Sequence, residues 1–99
     1  MLAKEFYNKI IEMCNATQVN KSGKNAKWVL YRVIKNIGAE YKTRSESERM
    51  KSGSNRVSDD EIKIHMMLSV IKKDKFTDAM TFEEFRQHII KTTTAIINS

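Results

Sequence analysis

Three side chains offer the nitrogen or sulfur atoms that transition metals and nucleophilic catalysis require: Cys14, His65 and His88. A metal site needs convergent ligands, and these three fall on three different predicted helices with no short-spaced partner among them. The spacing favours polar residues at helix margins, so neither a metal nor any other cofactor is expected. Cys14 lies in an apolar run with helical spacing, where a thiol behaves as a small buried hydrophobe instead of an activated nucleophile. Acid–base chemistry would have to come from Asp59, Asp60 and Glu61 or from Glu83 and Glu84. Carboxylates in the first turn of a capped helix already have a structural reason to be there. The lone Gly23 in the peptide KSGKN is too little for a glycine-rich phosphate cradle. No nucleophile, base and electrophile converge, and no enzyme is expected.

The residue pattern with more to offer is basic and aromatic. Lys24, Lys27, Trp28, Tyr31, Arg32, Lys35 and Lys42 lie on the side of one predicted helix away from its apolar stripe. An indole and a phenol among five cations combine phosphate pairing with base stacking. The alternative is that Trp28 and Tyr31 pack under the following connector or against the first helix while the lysines only solubilise the surface.

Charge is distributed to match. Eighteen Lys and Arg against twelve Asp and Glu give a net +6. Residues 20–56 hold ten basic side chains and three Glu, hence +7, and the rest of the chain is near neutral. Attraction for a polyanion depends on such local clustering.

Four helices are predicted to position these residues. With no proline, three glycines and no alternating strands bounded by turn dipeptides, the chain lacks the punctuation of a sheet protein. The first helix covers about Leu2 to Asn15, with Leu2, Phe6, Ile10, Ile11 and Cys14 on one side. It leads into a polar stretch from Thr17 to Asn25. The second covers about Ala26 to Lys42, with Ala26, Val29, Leu30, Val33, Ile34, Ile37 and Tyr41 as the core face. Thr43 to Arg56 (TRSESERMKSGSNR) is polar and serine-rich and reads as a connector, about 43–57, that is mobile or carries a helical extension.

The third helix starts at a capping box, Ser58 with Glu61, stapled by Val57 and Ile62. Its apolar residues cover more circumference than one packing partner requires, so it is central or also meets another molecule. After a loop from Asp74 to Met80, a second capping box, Thr81 with Glu84 and the staple Met80 and Phe85, opens a fourth helix. Its inner face is Phe82, Phe85, Ile89, Thr93 and Ile96. The expected fold is all-α: one small four-helix bundle-like domain over residues 1–99. The single cysteine, and the absence of an apolar stretch long enough for a leader or a span, fit a soluble cytoplasmic protein with no membrane partner.

Two segments resemble a known family. NAKWVLYRVIKNIGAEYK (Asn25 to Lys42) resembles the helix of YqeY-like proteins that has a leucine–arginine start and a lysine–asparagine end. VSDDEIKIHMMLSVIKKDKFTDA (Val57 to Ala79) resembles the capped helix that follows it. YqeY-like proteins are related to the tail domain of the B subunit of the tRNA-dependent amidotransferase. The resemblance runs from Lys24 to about Ala79 and stops there, since the family's tyrosine–leucine–proline turn and smaller C-terminal helical subdomain have no counterpart. It implies a helical bundle without catalytic residues, linked by analogy to tRNA machinery.

The sequence therefore predicts a non-catalytic accessory domain for nucleic acid, structured RNA such as tRNA being favoured. Arg44, Arg49, Lys51 and Arg56 of the connector would join the helix cations. The competing expectation is a protein-interaction module or homo-oligomer using Ile64, Met66, Met67 and Ile71, since methionine surfaces adapt to partners. A lysine- and asparagine-rich chain without proline is also similar to many small virally encoded modulators of host enzymes.

Overall fold

The computed structural model describes residues 1–16, 26–53, 55–71 and 79–99. Four helices appear in order: α1 (Leu2–Ala16), α2 (Ala26–Lys51), α3 (Asp59–Val70) and α4 (Phe82–Ile97). Every pair of them packs together, giving an all-α, four-helix bundle-like fold with no strand among the described residues. The stretch from Thr17 to Asn25 and the loop residues 72–78 lie outside the described residues.

α1 and α4 follow from simple amphipathic spacing. Leu2, Ala3, Phe6, Ile10 and Cys14 form the buried stripe of α1, with Ile11 at its margin. Phe82, Phe85, Ile89, Thr93 and Ile96 form that of α4. The Thr93 hydroxyl is satisfied inside the core by donating to the Ile89 carbonyl at 2.6 Å. The capping box at Thr81 is complete, the hydroxyl accepting from Glu84 N–H and the Glu84 carboxylate accepting from Thr81 N–H.

α2 departs from expectation in two ways. Its buried positions are Lys27, Leu30, Ile34, Gly38, Tyr41 and Ser45, a three- and four-residue spacing that continues past Lys42. Val29, expected in the core, is 52% exposed, because the true stripe is rotated and uses a lysine, a glycine and a serine. The helix also runs to Lys51, so most of the expected connector is the helical extension. Thr43, Ser45 and Ser52 donate back to the carbonyls of Ala39, Lys42 and Arg49, which spares their hydroxyls from competing with the helix. Gly53, at φ +69°, supplies the left-handed residue that ends it.

At α3 the expected capping box is half formed. Ser58 Oγ accepts from Glu61 N–H at 3.2 Å, but the Glu61 carboxylate turns inward to Arg49. Val57 and Ile62, the expected staple pair, are 41% and 43% exposed. α3 is packed by α1, α2 and α4, which covers its wide apolar circumference without a further molecule at Ile64, Met67 and Ile71.

Gly38 sits where three helices meet. A Cβ there would run into the Leu68 side chain and lie 2.9 Å from Phe6 Cζ. The Phe6 ring is fully buried and stacked on Tyr41 at 5.7 Å, so it cannot yield easily. Overpacking typically costs about 1–3 kcal/mol, against about 1 kcal/mol of helix propensity gained from glycine to alanine. Gly38→Ala is therefore expected to lower stability by roughly 1 kcal/mol net, a fall of about 4–8 °C in Tm for a domain of this size. A thermal melt showing an unchanged or higher Tm would mean that Leu68 swings aside.

Candidate nucleic-acid interface

The residues expected on the basic face do not stay together. At 3.6 residues per turn, Trp28, Tyr31, Arg32, Lys35 and Lys42 fall within about 100° of one another on the flank of α2 toward α3. Arg44 and Lys51 fall about 180° away on the other flank. Lys24 lies outside the described residues. Arg56 is exposed in the segment before α3, beside a hollow it shares with Ser45, Glu48, Ser58 and Asp60.

Three of the expected cations are built into the fold. Lys27 is only 7% exposed, and its Nζ donates to the Met80 carbonyl at 2.8 Å just before α4. Lys35 is half-buried and donates to the Leu68 carbonyl in the last turn of α3 at 3.1 Å. Arg49 Nε donates to Glu61 Oε1 at 3.1 Å. The Glu61 side chain is 3% exposed and that of Arg49 28%, so this pair sits largely out of water.

The aromatic residues form a short ladder on the same flank. Lys27 Nζ is 4.8 Å from the Trp28 ring centre, Trp28 meets Tyr31 edge to face at 6.1 Å, and Lys35 Nζ is 5.9 Å from the Tyr31 ring. Tyr31 packs on the core, whereas Trp28 is half-buried and outside it. Exposed Arg32 lies beside this ladder. A shallow groove of about 400 Å³ continues from it between α2 and α3, lined by Lys35, Ala39, Lys42, His65, Leu68 and Ser69. Arg44, on the other flank, lies over the Tyr41 ring at 5.0 Å.

The residues expected at a protein interface are mostly core. Ile64, Met67 and Ile71 are fully buried, since three neighbouring helices use the circumference that seemed surplus. Met66 is 45% exposed and, with Val70, Ala95 and Ile96, lines a small apolar hollow between α3 and α4.

Cys14 is buried, and burial pushes its thiol up to about 11 from 9.0, with the Arg86 guanidinium acting in the opposite direction. His88 lies on α4, apart from His65 on α3. A comparison of His and Cys spacing alone passes over a carboxylate set: ligand atoms of Glu46, Glu61 and His65 all lie within 4.8 Å of one another. The i, i+4 relation of Glu61 and His65 is the signal that would have found two of the three.

These features define a four-helix bundle-like protein with a polar α2–α3 seam, and no described helix is long and apolar enough to cross a membrane. No protein-family model, curated protein or solved structure matches the chain.

Two outcomes follow from this placement. Arg49→Ala leaves a buried carboxylate without its guanidinium and is expected to cost roughly 1–3 kcal/mol, whereas Arg32→Ala on the exposed flank stays within about 0.5 kcal/mol. Urea denaturation of both variants checks it, and equal midpoints would refute the assignment. For Cys14, the folded chain keeps a proton that the unfolded chain releases between about pH 9 and 11, so stability falls as pH rises through that window. The gap between the urea midpoints of wild type and Cys14→Ala should narrow from pH 8 to pH 10.5, because only the wild type loses this stability, and a gap that stays constant would refute it.

Proposed function

We propose that this protein is a non-catalytic helical domain that binds nucleic acid in the cytoplasm. The observation that carries the reading is the half-buried Trp28, edge-on to Tyr31 and flanked by exposed Arg32, with Lys42 farther along the same groove. An aromatic face with cations at its sides suits stacking on bases and pairing with phosphates. The charge excess over residues 20–56 supports the same reading. Structured RNA such as tRNA is favoured over DNA by the resemblance of Lys24 to Ala79 to YqeY-like proteins.

The binding flank is narrower than the sequence implies. Arg32 and Lys42 are the cations available to one strand, since Lys27, Lys35 and Arg49 are bound within the fold and Arg44 and Lys51 face away. Neutralising about two phosphates gives a slope of about −1.4 to −1.8 in log K against log salt. Between 50 and 200 mM salt, affinity for mixed tRNA should then fall roughly 7- to 12-fold. Replacing Arg32 and Lys42 together by Gln should flatten the slope by about 1.4–1.8, while the same change at Arg44 and Lys51 leaves it unaltered. Trp28, the only tryptophan, should report binding through its fluorescence. No detectable binding at low salt, or equal effects of the two double variants, would remove the reading.

A further inference from the structure

We propose that Glu46, Glu61 and His65 form a divalent-cation site of the zinc type that clamps the C-terminal third of α2 to α3. Glu61 and His65 are one turn apart on α3, which sets both on one face, and Glu46 reaches them from α2. His65 Nε2 is 3.7 Å from Glu61 Oε2. A tetrahedral ion with ligands at 2.0–2.2 Å holds its donor atoms about 3.3 Å apart. That pair is thus close to metal-binding separation without an ion, and the full set, within 4.8 Å, needs only side-chain rotation to close.

The surroundings favour a cation there. Arg49 holds Glu61 through Oε1, which leaves Oε2 facing the imidazole and fixes the carboxylate in the manner of an outer-shell partner. Half-buried Glu46 makes no hydrogen bond or ion pair among the described residues. Two carboxylates therefore approach each other where one side chain is 3% exposed, against a single guanidinium. One imidazole nitrogen with two carboxylate oxygens suits zinc, cobalt or nickel, whereas calcium and magnesium prefer oxygen-only sets. Three protein ligands leave a fourth position for water or an anion. His65 also lines the α2–α3 groove, so that position lies beside Lys35 and Lys42. The site does not depend on the nucleic-acid reading.

Metal-free protein titrated with zinc chloride against a chromophoric chelator tests the proposal, together with the visible spectrum of the cobalt(II) form. A 1:1 complex is expected, with affinity at least tenfold lower in both Glu46→Gln and His65→Ala and unchanged in His88→Ala. Glu46 is half-buried and the His65 side chain 43% exposed, and circular dichroism verifies that each variant stays helical. Zinc should raise the Tm of the wild type and not of these two variants. Absence of saturable binding, or binding that survives both substitutions or is lost in His88→Ala, would overturn the site.

Discussion

A helix ends in carbonyls that its own backbone cannot pair, and a bundle this small cannot hide them all. In α1, α3 and α4 the last turn contains no basic residue of its own. Each of these ends instead receives a cation from a neighbouring helix. Arg86 of α4 donates to the Cys14 carbonyl and to the Asn15 side chain, Lys35 of α2 to the Leu68 carbonyl, and Lys63 of α3 to the carbonyls of Ile97 and Ser99. The start of α1 is held in the converse way, its Leu2 and Ala3 N–H groups donating to the Asp60 carboxylate of α3. α2 alone carries its own terminal cations, Arg49 and Lys51. Hydrogen bonds to charged groups contribute about 1.5–3 kcal/mol when shielded from water and less at the surface. Their larger consequence is register: each tie is satisfied at one axial alignment of two helices.

This arrangement changes what the net charge means. Lys27, Lys35, Lys63, Arg49 and Arg86 all bind carbonyls or carboxylates of the fold. A good part of the basic excess is thus structural. A cationic surface for a polyanion must be sought among side chains whose heads stay in water, and on α2 that leaves Arg32 and Lys42 on the groove flank. Net charge predicts attraction at long range, but only side-chain placement says which cations can touch a ligand.

The same distinction explains how much was legible in the sequence. α1 and α4 could be read because their buried positions are apolar throughout, so period and polarity agree. In α2 they disagree: Lys27, Gly38 and Ser45 occupy the buried stripe, and an apolar-only template shifts its phase toward Val29. The extension to Lys51 is hard to read from sequence because Ser and Thr disfavour helix interiors, whereas here their hydroxyls bond back into the helix. At α3 the capping signal was correct for Ser58 and misleading for Glu61, whose local role is replaced by a contact with Arg49 twelve residues earlier. No local pattern announces such a partner. The basic-aromatic flank was legible in outline, while its division between inward and outward cations depends on where α3 and α4 end.

The one largely buried ion pair lies on the α2–α3 seam, among the described residues. Between α1 and α4 the ties are Tyr7 to Thr94 at 2.8 Å and Arg86 to the end of α1, over an apolar interior. Between α2 and α3 lie the Lys35 contact, the Arg49–Glu61 pair, His65 and the groove. Apolar side chains of similar shape in place of a buried ion pair are often as stabilising or more so. Burial energy alone therefore does not account for Arg49 and Glu61. What the pair supplies is position: it ties the part of α2 beyond Tyr41, which has only Ser45 to bury, to the first turn of α3. An apolar seam there would resist sliding poorly, because Met50 and Val57 are exposed and offer no interlocking shape. Charge fixes the alignment where shape does not, and in doing so holds the Lys42 and His65 sides of the groove at a constant separation.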